Sequence, residues 1–450
     1  MLMKSLTWSL LCAFTMAGCQ PPPPTPTQKS APSQGAAEPT APTGSNDATP
    51  PASAPDAAAA LPAPPAVEDL PADVLALVAP LATEQVRDGW ILLFDGQSLF
   101  GWESNEPGVN WAVEDGTITA DSGPQGLLLT TVPFADYELH CEFQMEAGGN
   151  SGVFLRTAFA PMDVAADCYE LNIVDEHPSG FLTGSFVGRA EAAEPLTGSG
   201  DWKSFDVRCE GNTFTVDLDG RRVLDYVDGS AAPRASGRIG LQKNAGKIRF
   251  RNIGLRPLNQ QSLLTGADLS GWRVVPGSAA TFEPEGDAIR CRGGAGFLET
   301  EGTYGDFVLQ LDAATRAADV NSGFFFRAEP GTEAAPSNGY EVQVDNSRHE
   351  RDRARPANAG TGAIFRRSEA RLVAADDHAW ATVTLIAAGP RFATWVNGYP
   401  VVDWVDDRTA DPNPRRGLRL EPGHISLQAH DPGTDVSFRR IRIAPLPTID

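Results

Sequence analysis

The chain has 450 residues, of which 41% are hydrophobic and 21% charged, and a formal net charge of −22. That acidic balance argues against nucleic acid as a partner, which needs basic patches, and disfavours anionic lipid headgroups. Otherwise it bears on solubility and not on activity.

Residues 1–18 read as a targeting segment. Lys4 gives a positive start, and the apolar run 6–17 is too short to cross a bilayer as a mature helix. The run ends Met16-Ala17-Gly18-Cys19, small residues directly before a cysteine. This is the pattern of a bacterial lipobox, cut before Cys19 and lipidated on it, with Met16 departing from the commoner Leu. The alternatives are a plain secretory signal with an incidental cysteine, or a poorly cleaved anchor. Lipid on Cys19 would give membrane contact through the anchor alone, in the cell envelope. Residues 19–66 are rich in Pro, Ala, Thr, Ser and Gln. They hold too few large apolar side chains to offset ordering entropy, so they read as a disordered tether. Residues 67–87 read as a short helical lead-in, with Val74, Leu75, Leu77, Val78 and Leu81 near helical spacing and Pro71 in a first turn.

From residue 88 the pattern changes to short runs rich in Val, Ile, Phe and Tyr, broken by Gly, Asp and Asn. Asp219-Gly220 is a hairpin turn signal. The order of features then repeats. Gly101-Trp102 returns as Gly271-Trp272, Trp202 as Trp380, Asp219-Gly220 as Asn397-Gly398, and Leu241-Gln242 as Leu427-Gln428. The expected architecture is all-β, with two tandem β-sandwiches at 88–257 and 258–450. Each is long enough for its own core, and they are joined by almost no linker, so they are expected to pack together.

The most informative stretch occurs in both halves. NSGVFLR at 150–156 is followed by YELNIVD at 169–175, and NSGFFFR at 321–327 by GYEVQVDN at 339–346. Strand residues alternate between faces. Tyr340, Val342 and Val344 can bury, leaving Glu341, Gln343 and Asp345 in a polar row, and Arg327 could stand near that row. In the first half Tyr169, Leu171 and Ile173 face one way, and Glu170 and Asn172 the other. The same alternation is equally an ordinary solvated sheet face.

Cys141 and Cys209 sit at inward parity, which fits two buried thiols or a cross-strand disulfide. No Cys/His spacing resembles a structural zinc site, and no nucleophile elbow, P-loop or dinucleotide fingerprint is present.

LFDG at 93–96, the Gly-Trp pairs, the two NSGxxxR runs, GYEVQVDN, TGAIF at 361–365, WVNGYPVVDW at 395–404 and the closing LQ…FRNI pattern together resemble the domain of unknown function 1080 family, the 3-keto-disaccharide hydrolase domain. The resemblance covers about residues 88–446 as two copies. It implies a concanavalin A-like jelly-roll sandwich, export, and cleavage of glycosides whose C3 is already a ketone. The ketone acidifies the C2 proton, a base removes it, the C1 substituent leaves, and water adds back. Such a site needs a base, an electrophile for the oxyanion and an acid.

Carried onto this chain, the resemblance implies Glu341 or His430 as base or as ligand of a divalent metal, Arg327 as substrate or carboxylate partner, and Gln343 and Asp345 beside them. The first copy offers Glu170, with Arg156, Asn172 and Asp175 as substrate contacts. It departs from the pattern at Asn172 and Lys243, and the second copy departs at Arg440. The expected partner is a carbohydrate. Two further possibilities stay open: a glycan-binding module without chemistry, with Trp102, Trp111, Trp272, Trp395 and Trp404 lining a groove, and a surface scaffold.

Overall fold

A computed structural model of the protein describes residues 81–194, 196–264, 268–413 and 415–447. The export segment, Cys19, the tether and residues 67–80 of the lead-in lie outside the described residues. The end of the lead-in is a helix, Thr83–Arg87.

The rest is built from strands. In the first half, a long sheet runs in the order Arg221–Val227, Thr213–Leu218, Lys203–Glu210, Tyr137–Met145, Ile248–Pro257, Thr117–Ala120, Ala112–Glu114, with Ile91–Leu92 added to Ile248–Pro257. A five-stranded sheet faces it, in the order Trp102–Ser104, Gly126–Thr130, Arg238–Lys243, Ser151–Thr157, Tyr169–Ile173. The second half repeats both. Its five-stranded sheet runs Trp272–Val274, Gly296–Thr300, His424–Ala429, Ser322–Ala328, Tyr340–Val344. The repeated turns behave as their sequences require. Asp219 and Gly220 have φ of 49° and 72°, and Asn397 and Gly398 have 50° and 79°, the left-handed pair that closes a two-residue hairpin.

The two sheets differ in a way that matters. Tyr137–Met145 alternates strictly between buried and half-buried residues, one face to the core and one to water. Tyr169–Ile173 and Tyr340–Val344 are buried at every position. Their inner residues, Tyr169, Leu171 and Ile173 or Tyr340, Val342 and Val344, join the sandwich cores. Their outer residues lie under loops. Each five-stranded sheet therefore has a covered polar face and not a solvated one.

The sandwiches pack on one another. Val308, Ile386, Ala393, Trp395 and Leu446 of the second continue the core cluster of the first. Cys141 and Cys209 are buried free thiols. Cys141 stands opposite Phe205, and Cys209 opposite Tyr137, so strand register separates them and rules out the disulfide.

Candidate functional site

Register assembles the outer face of the second five-stranded sheet. One row crosses it as Arg273, Glu299, Ser426, Phe325, Glu341. The adjacent row is Phe297, Gln428, Gly323, Gln343. Glycine at 323 leaves the floor open: a Cβ there would meet Val342 O at 2.7 Å and Glu341 Cγ at 3.3 Å. Phe297 packs edge-on against Phe325 at 5.5 Å between centroids. The Arg415 guanidinium sits 5.4 Å over Phe325, donates to Ser337 Oγ at 2.7 Å and approaches Glu341 Oε2 at 3.3 Å.

Glu341 is 6% exposed. Burial pushes its carboxyl above the usual range, with Arg415, His430 and Arg366 acting in the opposite sense. Gln343 donates to Asn321 Oδ1 at 3.1 Å, while its own Oε1 has no partner. Gln428 Oε1 and Ser426 Oγ are likewise buried and unpartnered. Buried polar atoms are nearly always satisfied, so three orphans on one covered face mark a place where a polar ligand or water belongs. A cavity of about 300 Å³ opens beside Glu341, lined also by Phe365, Arg366, Arg408, Arg415 and Arg416.

The first copy has the same frame with different contents. Its row is Glu103, Leu129, Gly240, Phe154, Glu170. Gln242 Nε2 donates to Glu170 Oε1 at 3.1 Å, and Gln242 Oε1 is unpartnered. Burial raises the Glu170 carboxyl, opposed by the Gln242 hydrogen bond. Its cavity, about 370 Å³, is lined by Phe154, Met162, Val164, Glu170 and Gln242 among others and contains no arginine. A third cavity, about 530 Å³, lies where Phe134, Arg234, Val308 and Leu446 meet, and its lining includes neither glutamate.

Several expected site residues do other work. Arg327 is fully buried and does not reach the polar row. It donates to the carbonyls of Gly305 (3.2 Å), Gly389 (2.6 Å) and Arg419 (2.8 Å) and pairs with Asp306 at 2.5 Å. Arg156 repeats this clamp on Ala135, Gly211 and Arg234 carbonyls and on Asp136. The reason is a bulge: Arg156 and Arg327 have φ of 46° and 49°, which turns them off the outer face. Asp345 lies past its strand end. Its carboxylate accepts from Ser347 N at 2.9 Å and Asn358 Nδ2 at 2.8 Å, stapling a loop. Asp175 does the same for Gly198 and Ser199. Asn172 is on the outer face but donates to Phe181 O at 2.5 Å. His430 is half exposed and hydrogen-bonds Asp431 at 2.9 Å. Lys243 is buried, with Nζ 3.4 Å from Asn244 O.

The donor set does not fit a metal. Among the described residues no group of three or more His, Cys, Asp or Glu could hold one, and Arg415 already faces Glu341. Trp102 and Trp272 hydrogen-bond Leu93 O and Leu263 O from buried positions, and Trp395 bonds Leu92 O between the sandwiches, so none of the three lines a groove.

Gln242, Gln428, Arg366 and Arg415 were not among the expected site residues. The glutamines had a signal, because each follows a core Leu in the repeated Leu-Gln pair and so must face outward. The arginines had none, since loops bring them in.

The sequence model described as the 3-keto-alpha-glucoside-1,2-lyase-like domain matches residues 89–256 and again 259–444. The 3-keto-disaccharide hydrolase of Bacteroides thetaiotaomicron is 23% identical over 38% of this chain and 79% of its own length. Among solved structures, a candidate glycosyl hydrolase of Parabacteroides distasonis aligns at 20% identity over 40% of this chain and 98% of its own, with a TM-score of 0.35. The carbohydrate-binding module CBM66 of Bacillus subtilis aligns at 19% identity over 35% and 95%, with a TM-score of 0.27. The two family matches together span most of the sequence, and the chain belongs to the 3-keto-alpha-glucoside-1,2-lyase-like domain family, with two copies in tandem.

Proposed function

We propose that the protein cleaves glycosides of 3-keto sugars by elimination and hydration, net hydrolysis, at the covered sheet face of its copies. One observation carries this: a glutamate whose carboxyl is raised by burial shares the covered face with a glutamine whose oxygen is unpartnered, Glu170 with Gln242 and Glu341 with Gln428, at matching positions of both copies. A carboxylate of that kind suits abstraction of a C2 proton acidified by a C3 ketone. Glu341 takes the proton, and the electron pair passes to the C3 oxygen as an enolate. The Arg415 guanidinium faces that negative charge. Collapse of the enolate re-forms the ketone and a C1–C2 double bond. The C1–O bond breaks, and the leaving oxygen picks up a proton from water. Addition of water to C1 and return of the proton to C2 complete the hydrolysis. Glu170 has the same relation to Gln242 but faces no guanidinium.

One contact favours binding without chemistry in the second copy: Arg415 already holds one oxygen of Glu341 at 3.3 Å. The test is release of aglycone from a chromogenic 3-keto-glucoside, comparing parent, Glu341→Gln and Glu170→Gln, each with and without chelator. Loss of about 10²–10⁴-fold in one variant identifies the base and its copy. No turnover by the parent sinks the hydrolase and leaves a glycan-binding protein. The sequence at Cys19 supports an envelope protein held by lipid, and labelling of the parent but not of Cys19→Ala with a fatty-acid probe checks that.

A further inference from the structure

The two copies share a frame, yet only the second surrounds its glutamate with arginines. Matched landmarks locate the difference. Tyr169 OH donates to Asp228, and Arg234 N donates to that hydroxyl; Tyr340, Asp406 and Arg419 repeat the arrangement. Between the paired acid and arginine the first copy has five residues, 229–233, and the second has twelve, 407–418. The longer loop supplies Arg408, Arg415 and Arg416, all lining the Glu341 cavity. A second change is independent of it. The bridges Phe186 to Ala190 and Ile364 to Ser368 align Gly188 with Arg366. Both positions have positive φ, 71° and 60°, a conformation that favours glycine, and the second copy nevertheless places an arginine there.

The remaining arginine shows what the loops do. In the first copy Arg189 donates to the carbonyls of Val164, Ala165 and Cys168, holding over the face a loop that carries Asp163 and Asp167 and no basic residue. Its counterpart Arg367 donates to Arg415 O at 2.7 Å and so holds the arginine-bearing loop. Asp406 compensates Arg408, and Glu341 compensates Arg415. Arg366, Arg367 and Arg416 form no ion pair among the described residues. In a chain with a formal charge of −22, three guanidiniums without an ion-pair partner around one cavity of about 300 Å³ concentrate positive charge where an anion would fit.

We infer that the second copy takes a sugar bearing an anionic substituent, a carboxylate or a sulfate ester, gripped by Arg366 and Arg416, while the first copy takes a neutral sugar. This presumes the proposed sugar site at Glu341 and adds its substrate class. The test is calorimetric titration of the full chain with methyl glucuronide, glucose 6-sulfate and methyl glucoside, repeated with Arg366→Gly/Arg416→Ser. Arg366→Gly restores the residue the first copy uses at that backbone angle, so the variant is expected to fold. At least one anionic probe is expected to bind ten-fold or more tightly than the neutral one, with the preference abolished in the variant and weakened by salt. Tight binding of the glucuronide alone assigns a carboxylate, and of the sulfate alone a sulfate ester. Equal affinity for all three probes, or a preference that survives the variant, overturns the inference. Failure of the hydrolase proposal looks different: the anionic preference persists while no 3-keto-glucoside is turned over. Turnover of neutral 3-keto-glucosides with no anionic preference sinks this inference alone.

Discussion

Burial makes the Glu170 and Glu341 carboxyls hold their protons to higher pH than an exposed glutamate does. A group whose folded value is raised contributes stability that is fully present below the unfolded value, about 4.3, and is lost as pH rises through the folded one. Glu170 has only the Gln242 hydrogen bond to offset this. Glu170→Gln is therefore expected to melt higher than the parent at pH 7, with the gap closing as pH falls towards 4, read by thermal unfolding across that range. A gap that does not change with pH would mean the carboxylate is not the strained group. Arg156 and Arg327 make the opposite case. Each satisfies three carbonyls and a carboxylate from a buried position, so removing the guanidinium takes the donor from three carbonyls and the counter-charge from a carboxylate that keeps only neutral donors, Gly389 N on Asp306 and Gly211 N and Asn259 Nδ2 on Asp136. Arg327→Met is expected to cost about 3–5 kcal/mol in denaturant unfolding. An Arg327 variant of parental stability but without turnover would return this residue to the site.

At the scale of the strand, alternation explains what could be read from sequence. Glu170 and Glu341 were placed on the outer face because Tyr, Leu, Val and Ile on either side of them had to reach the core, and that physical demand is local. It fails where the backbone departs from two-residue periodicity. The bulge at Arg327 breaks register between Phe325 and Ala328, so Phe326 and Arg327 both turn away from the outer face. Asn252 and Arg440 sit at a second repeated bulge with φ of 52° and 49°, which makes the Asn-to-Arg departure there a matter of backbone and not of the site. The arginines of the anion site come from segments about fifty residues apart, and no strand pattern foretells that meeting. The glycine of the NSG motif has a use that the pattern also hid, since it clears the floor beside the glutamate. Gly323→Ala would press on Val342 O at 2.7 Å and on Glu341 Cγ at 3.3 Å. Gly152→Ala would meet Leu171 O at 3.1 Å and Glu170 Cγ at 3.5 Å. Gly323→Ala is thus expected to shift the Glu341 carboxylate and lower turnover more than Gly152→Ala does, if the second copy is the active one. Steady-state kinetics of the pair separates the copies without removing either base.

Across the whole molecule the two sandwiches are joined by more than their linker. Leu92 N donates to Gly398 O and Leu92 O accepts from Trp395 Nε1, both at 2.8 Å, so a strand that pairs within the first sandwich is also tied to a hairpin of the second. Gln310 donates to Gly89 O at 2.7 Å, and Arg371 pairs with Asp95 while bonding Tyr399. The lead-in helix joins in, because Val86 belongs to the core of the second sandwich although it precedes the first in the chain. Gln261–Ser262 then pairs with Asp435–Pro445, so the linker itself becomes sheet. An interface with an apolar centre and buried hydrogen bonds couples the unfolding of its two sides when its free energy exceeds the difference between them. Trp395 is its largest apolar side chain and is 6% exposed. Trp395→Ala deletes that packing and leaves Leu92 O without its indole donor, a loss of about 3–5 kcal/mol. Scanning calorimetry of the parent is expected to give one transition. In Trp395→Ala the transition should separate into two, the sandwich that loses more of its support melting first. A single transition in the variant, shifted by only a degree or two, would mean that the hydrogen bonds of Leu92, Gly89 and Asp95 suffice to couple the sandwiches without the indole.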